Sequence, residues 1–175
     1  MLCQTLLALA AFLPRSGHTE IMRVLLKFTL DCTPDAAWRA LRDPKVVGQV
    51  DGPIAAPTSL EPGGFPDEWT TEPHRVAVKA FGLIPIGEQE IRLSFSERAG
   101  ARIVQDTGRP LSGALATVTS WRHTMAVSPR GDGRTLYRDR LEFGAGLLTP
   151  AVWPVLWALW QWRGAQLKRL APTWE

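Results

Sequence analysis

Apolar residues recur at every second position from Val24 to Leu30, separated mostly by polar neighbours. A period of two places alternate side chains on one face, so residues 22–31 are predicted to form a strand with one buried face. Thr33 and the proline after it are typical of a helix N-terminus. This first helix is expected to end near Asp43, because a residue that precedes proline avoids the α region.

The middle of the chain predicts a run of strands after a short second helical turn at 45–49. Residues 51–66 are rich in Gly and Pro and are predicted to be loops around one short strand. Further strands are predicted at 67–72, 75–81, 88–96, 101–107, 115–127 and 135–143. Short turns between successive strands indicate an antiparallel meander, and therefore an α+β fold.

The clearest pattern is the last one, which predicts a long helix over residues 150–171. Thr149 is suited to the N-cap, and Pro172 follows the helix end. Three basic residues fall toward the C-terminal end and suit the helix dipole: Arg163, Lys168 and Arg169. Residues 147–162 carry no charge, which allows membrane contact, but this run is shorter than the ~20 residues that span a bilayer.

Tryptophan is concentrated in this helix, since four of the eight Trp residues lie within ten positions. An apolar stripe runs along one helix face: Trp153, Leu156, Trp157, Trp160, Gly164 and Leu167. One interpretation is that the Trp side chains are simply core. The other is that they surround a void beneath a helix lying across a curved sheet, which makes an apolar ligand pocket with Trp153, Trp157 and Trp160 on its side.

The two strands before this helix are predicted to pair as a hairpin around Gly131. A register that begins with Val127 opposite Thr135 gives three further pairs: Met125 with Tyr137, His123 with Asp139, and Trp121 with Leu141. His123 and Asp139 are then side by side on the inner, apolar face. A buried Asp needs a partner. The pair is therefore a core contact that fixes the hairpin, an anchor for a polar group of a ligand, or a catalytic dyad in which His123 is the base.

Ligand contacts are accordingly expected from both the hairpin and the helix. The predicted ligand-binding residues are Trp121, His123, Met125, Tyr137, Asp139, Leu141, Trp153, Trp157 and Trp160. Catalytic residues are not assigned beyond the candidates His123 and Asp139.

Composition narrows the classes of partner. The 175 residues suit one domain, and 45% hydrophobic with 21% charged residues is typical of a globular chain. The net charge of +3 is spread along the chain, so no nucleic-acid surface is expected. The two cysteines, Cys3 and Cys32, match no metal spacing, and there are only three histidines. Neither a disulfide framework, a metal nor a cofactor is expected.

The N-terminus suggests an extension rather than part of the domain. Residues 2–13 form an apolar run, but no Lys or Arg precedes it as in a signal peptide. The predicted organisation is an extension at 1–21, a single domain at 22–171 and a tail at 172–175. The extension is interpreted as a signal-like segment or as the result of a misassigned start. A cytoplasmic location is expected, and export or peripheral membrane association through residues 1–21 is the alternative.

The order of predicted elements over residues 22–171 resembles the START/SRPBCC, or helix-grip, superfamily. The strings that carry the resemblance are CTPDAAWRALRDPKVV, FGLIPIGEQEI, TSWRHTMAV and GRTLYRDRLEF. The resemblance implies a curved antiparallel sheet of about six to seven strands around a long C-terminal helix, with two short helices after the first strand. It also implies a deep pocket for lipids, polyketides or similar molecules, and no universal catalytic residues.

Three functions follow from these patterns. The leading hypothesis is a non-catalytic binder or carrier of a small hydrophobic molecule. The alternative is a cyclase- or dehydratase-like enzyme that acts on a hydrophobic substrate with His123 and Asp139. The third is a protein that uses its apolar helix and residues 1–13 to contact a membrane surface or a partner.

Overall fold

The computed structural model describes residues 21–174, so all of the predicted extension at 1–21 except Ile21 lies outside the described residues. The strands in this part of the chain are β1 (Met22–Leu30), β2 (Ala56–Ser59), β3 (His74–Ala80), β4 (Ile84–Ile91), β5 (Leu93–Arg98), β6 (Ala101–Asp106), β7 (Arg109–Pro110), β8 (Ser120–Pro129) and β9 (Thr135–Gly144). The helices are α1 (Pro34–Arg42), α2 (Pro44–Ala55) and α3 (Thr149–Leu170), with short 3₁₀ helices at Gly113–Thr117 and Ala171–Thr173.

The strands form two antiparallel sheets, with orders β1-β9-β8-β6-β5 and β2-β3-β4-β7. The predicted strand at 88–96 is divided between them, because the ladder breaks at Arg92. There the Asp106 carboxylate accepts a hydrogen bond from the Arg92 backbone N–H at 3.0 Å, where a continuous ladder would use a backbone carbonyl. This break lets β4 and β5 belong to different sheets that enclose a common interior.

Helix α3 packs against the edge strand β1 at Gly164. A Cβ at this position would lie 3.2 Å from Leu26 Cδ1 and 3.3 Å from Phe28 Cε1, so the glycine permits a close approach. Farther toward the helix N-terminus, Trp160 packs with Val24 and Leu141 in a buried cluster. The arrangement of sheets, two short helices and long C-terminal helix confirms the predicted α+β helix-grip fold.

Helix α1 begins where the sequence predicts, and α2 begins one residue before the predicted turn at 45–49. Thr33 caps α1, since its hydroxyl accepts a hydrogen bond from the Ala36 backbone N–H at 3.2 Å. Asp43 caps α2 through the Lys45 backbone N–H at 2.8 Å. Helix α2 is longer than the predicted turn at 45–49, because Val46 and Val50, four residues apart, are buried and continue the helical pattern.

The predicted N-cap of α3 is wrong by one residue. Thr149 is the first helical residue and is fully buried, and Leu148 occupies the N-cap position without a capping side-chain hydrogen bond. The Thr149 hydroxyl accepts from the Ala145 backbone N–H at 2.8 Å and donates to the Gly146 carbonyl at 2.7 Å. It therefore closes the turn that enters the helix.

Other strand predictions also differ from the structure, and β4 begins at Ile84 instead of at 88. Residues 67–72 form a loop, in which Trp69 is buried and its backbone N–H donates to the Arg42 carbonyl at 2.8 Å. The strand predicted to begin at 115 begins at Ser120 instead. The preceding 3₁₀ helix starts at Gly113, where a positive φ of 65° is combined with a close approach to the Ile86 carbonyl.

The hairpin register differs from the predicted one by two residues. Tyr137 pairs with Val127, Asp139 with Met125, and Leu141 with His123. The β8 strand continues to Pro129, which pairs with Thr135 and leaves a shorter turn than predicted. A shift of two residues preserves the face of every side chain, so the inner positions are still those expected from the alternation.

Candidate functional site

A cavity of about 280 Å³ lies between α3, α2 and the inner faces of both sheets. Most of its lining is apolar and comes from every layer, including Leu41, Val46, Val50, Trp69, Val78, Ile91, Leu115, Leu156, Leu159 and Leu167. Polar residues make up a smaller part of the lining: Asp51, Gln89, Glu90, Asp106, Arg109, His123 and Arg163. Val155 also lines the cavity and is 67% exposed, so the cavity reaches solvent beside the first half of α3.

Asp139 is the centre of a buried polar cluster next to this cavity. Its Oδ1 accepts hydrogen bonds from His123 Nε2 and Trp160 Nε1, both at 2.9 Å. Its Oδ2 accepts from the Tyr137 hydroxyl at 2.7 Å. The Asp139 side chain has no exposed surface. An ionised carboxylate loses its hydrogen bonds to water on burial, and these three donors replace them.

The pKa values of this cluster follow from its burial and its hydrogen bonds. Burial by itself raises the pKa of Asp139, but the neighbouring His123, Arg163 and Trp160 outweigh this and lower the pKa. Burial, and then the charge of Asp139, raise the pKa of Tyr137 well above its usual value. Asp139 is therefore ionised and Tyr137 is neutral, so Tyr137 donates its proton to the hydrogen bond.

Arg163 connects the cluster to α2. Its Nη1 donates to Asp51 Oδ2, and its Nε lies 3.8 Å from Asp139 Oδ2. Burial by itself lowers the pKa of this guanidinium, but Asp51, Tyr137 and Asp139 raise it above the ordinary value. The arginine is therefore a permanent positive charge between two carboxylates. The sequence pattern suggested a basic residue near the C-terminal end of the helix, but the structure buries Arg163 between α3 and α2.

Aromatic rings form one side of the cavity. The Trp160 ring packs edge-on against His123 at 5.1 Å and against Trp121 at 5.8 Å between ring centroids. All three residues line the cavity. The Trp160 indole is thus fixed by the hydrogen bond from its N–H to Asp139 and by edge-on packing with two neighbouring rings.

The structure brings four of the predicted ligand-binding residues to the cavity lining: Trp121, His123, Met125 and Trp160. Tyr137 and Asp139 lie behind this lining and hold the residues that do reach it. Leu141 is fully buried in the packing between the sheet and α3. A role in ligand binding stays a prediction for each of these residues, as does the catalytic role considered for His123 and Asp139.

Trp153 and Trp157 are not among the lining residues. Their rings stack on each other at 6.3 Å, and the Trp153 indole N–H donates to the Arg23 carbonyl of β1 at 2.9 Å. Trp157 is 46% exposed. The two rings therefore lie over the sheet edge on the solvent side. Helical spacing alone could not separate this side from the cavity side, because the first half of α3 is apolar on every side.

Sequence patterns missed three charged residues of the site: Asp51, Asp106 and Arg163. Asp106 is buried, and besides Arg92 it accepts hydrogen bonds from the Gly108 backbone N–H at 2.8 Å and the Trp121 indole at 3.3 Å. A signal did exist for Arg163, since it directly precedes Gly164 of the apolar stripe and is the first charge after the uncharged run at 147–162. Its partner Asp51 lies in a Gly-rich segment that gave no such signal.

Two further properties of the described residues bear on function. No group of three or more His, Cys, Asp or Glu side chains within 21–174 is arranged to hold a metal ion. None of the helices in the same part of the chain has the length and apolar character needed to cross a membrane.

Comparison with known proteins gives structural likeness without sequence likeness. No protein-family model matches the sequence, and no curated protein sequence matches it either. Many solved structures are nevertheless similar in fold.

Three of these structures illustrate the likeness. A structural-genomics protein from Chromobacterium violaceum has a TM-score of 0.61 at 18% identity, over 85% of this chain and 96% of that one. A point mutant of norcoclaurine synthase from Thalictrum flavum, in complex with a transition-state analogue, has a TM-score of 0.61 at 14% identity, over 90% and 98%. A hypothetical protein from Helicobacter pylori has a TM-score of 0.62 at 11% identity, over 93% of each chain. At such identities the likeness shows the fold alone.

Proposed function

We propose that this protein binds or carries a small hydrophobic molecule in the cavity between its sheets and α3, as a member of the START/SRPBCC superfamily. The observation that carries the proposal is the apolar cavity of about 280 Å³ beside the grip helix. An engineered apolar cavity of ~150 Å³ is large enough to bind benzene. The present cavity is nearly twice that size, and so has room for a molecule of about two fused rings or an equivalent alkyl chain.

The lining supports a binding role over a plain packing role. Protein interiors contain few voids larger than a water molecule, and small-molecule sites are mostly apolar with a few placed polar groups. Here the apolar wall is accompanied by His123 and Arg163, which are held in position by Asp139 and Asp51. Norcoclaurine synthase, which has a similar fold, holds a transition-state analogue in its structure.

A pair of valine substitutions tests the proposal. Val78 on β3 lines the cavity, whereas Val104 on β6 is fully buried in the same core and is not among the lining residues. Val78→Phe is expected to place its ring in the cavity at little cost in stability and to prevent ligand binding. Val104→Phe is expected to cost ~1–3 kcal/mol through overpacking and to leave the cavity free.

Binding is measured by native mass spectrometry of protein purified from its own host, with extraction of any bound molecule. Displacement of a hydrophobic fluorescent dye by lipid extracts is the second readout. The expected result is a bound molecule in the wild type and in folded Val104→Phe, and none in Val78→Phe. Equal occupancy in Val78→Phe and wild type would contradict the proposal, as would empty wild-type protein that no extract can load.

A further inference from the structure

The Arg163 guanidinium has more hydrogen-bond donors than the described residues supply with oxygen acceptors. Its Nη1 is bonded to Asp51, as described above. Its Nη2 donates to the Met125 sulfur at 3.5 Å, and a thioether is a weak acceptor. Its Nε is buried and has no hydrogen-bond partner among residues 21–174, since the nearest Asp139 oxygen is 3.8 Å away. Buried polar groups of this kind normally have partners.

The Arg163 guanidinium, with these incompletely satisfied donors, lies at the cavity wall. Arg163 and Met125 both line the cavity, and Arg163 is 7% exposed. Among the polar lining residues of the described part of the chain, only Asp51 is hydrogen-bonded to the guanidinium. An oxygen atom of a molecule in the cavity is therefore the kind of group that would complete the hydrogen bonding of Nη2, with the flexible Met125 side chain moving aside.

The charges around Arg163 decide which oxygen fits. One guanidinium already faces the two carboxylates of Asp51 and Asp139. A ligand carboxylate would add a third negative charge to one positive charge at a buried site, which is unfavourable. A carbonyl oxygen accepts the same hydrogen bond without adding charge. Because a guanidinium can only donate hydrogen bonds, its partner needs to be an acceptor and need not be a donor.

We propose that the ligand is an apolar molecule with a neutral carbonyl oxygen, and that Arg163 Nη2 donates a hydrogen bond to this oxygen. The inference rests on the proposed function, because it assigns one polar contact within that cavity. It makes Arg163 the residue that selects ligands with an oxygen acceptor from equally apolar ligands without one.

The test uses four bicyclic probes of nearly equal size: tetralin, 1-tetralone, 1-methylenetetralin and tetralin-1-carboxylate. Their affinities for the wild-type protein are measured by dye displacement at neutral pH. We expect 1-tetralone to bind roughly 10- to 100-fold more tightly than 1-methylenetetralin, in which a CH₂ group replaces the oxygen. The carboxylate is expected to bind less tightly than the ketone.

Arg163→Lys is the matched variant, since it keeps a positive charge but loses the planar group that serves Asp51 and the cavity together. It should bind 1-tetralone and 1-methylenetetralin about equally. Met125→Leu removes the sulfur and is expected to keep the preference for the ketone. A preference that survives in Arg163→Lys, or equal binding of the ketone and the alkene by the wild type, would overturn the inference.

A spectroscopic measurement covers the case in which Arg163→Lys does not fold. The carbonyl stretch of 1-tetralone bound to the wild type should lie at lower frequency than in a hydrocarbon solvent, and an unshifted stretch would count against the hydrogen bond. Failure of all four probes to bind would instead contradict the proposed function. The two proposals therefore fail in distinguishable ways.

Discussion

Replacement of Asp139 by Asn changes one oxygen to an amino group at the centre of the buried cluster, with almost no change in shape. The carboxylate accepts three hydrogen bonds, from His123, Trp160 and Tyr137. Asparagine can keep the two on Oδ1 if its carbonyl takes that position. Its amide N–H groups then face the Tyr137 hydroxyl and the Arg163 guanidinium, which both donate in the wild type.

The expected loss follows from the charge on Asp139. A hydrogen bond to a charged group contributes ~1.5–3 kcal/mol and a neutral one ~0.5–1.5 kcal/mol, so each of the three bonds weakens by about 1 kcal/mol. The total of ~3 kcal/mol is at the low end of the ~3–5 kcal/mol measured when one partner of a buried ion pair is removed. Because the Asp139 side chain is fully buried, solvent does not screen this loss.

Urea denaturation of wild type and Asp139→Asn measures the difference, and thermal unfolding should show a Tm lower by ~6–12 °C. Asp35→Asn is the control, since its side chain is 75% exposed, pairs with Arg102 and should matter far less. Because the pKa of Asp139 is lowered on folding, its contribution is present above the unfolded pKa of ~3.9 and is lost as the pH falls through the folded pKa.

The difference between wild type and Asp139→Asn should therefore shrink in acid. A difference below ~1 kcal/mol at neutral pH, or one that does not depend on pH, would refute the assignment of an ionised Asp139 as the acceptor for this cluster.

Two other predictions concern the packing beside the cavity and the titration of Tyr137. Gly108→Ala should destabilise the protein by ~1–3 kcal/mol in urea denaturation, because its Cβ would lie 1.8 Å from the Glu90 carbonyl oxygen. Gly131→Ala is the control, since open space surrounds that position, and it should not destabilise the protein. Equal effects of the two substitutions would contradict this account. The raised pKa of Tyr137 means that its contribution to stability is complete below the unfolded pKa of ~10 and is lost as the pH rises through the folded value. Since Tyr137 is the only tyrosine of the chain, tyrosinate absorbance reports on it directly and should stay absent above pH ~10 until the protein unfolds; tyrosinate in the folded protein would be the contrary result.

Much of the fold could be predicted because its signals are local. The alternation from Val24 to Leu30, the cap at Thr33 and the long apolar helix each depend on neighbours within a few residues, and each is present in the structure. The strand break at Arg92 could not be predicted in this way. It depends on the Asp106 carboxylate, which is distant in sequence and becomes a substitute for a backbone acceptor only after folding.

The site was partly predictable for the same reason. Alternation along β8 and β9 placed His123 and Asp139 on the inner face, and this conclusion survived a register error of two residues because side-chain direction repeats every two residues. The register itself depends on where the turn begins, and β8 continues to Pro129, two residues beyond the predicted end at 127. Alternation carries no information about that boundary.

The sequence by itself determined which side chains of β1, β8 and β9 face inward, and it predicted a long apolar helix, because strand side chains alternate with a period of two and helix side chains repeat every 3.6 residues. Only the tertiary structure decided which Trp residues reach the cavity and which lie over the sheet edge. It also decided that Arg163 is buried between Asp51 and Asp139 and is not solvated at a helix end. Both outcomes depend on the rotation of α3 and on its contact with α2, and these are set by packing between elements far apart in the chain.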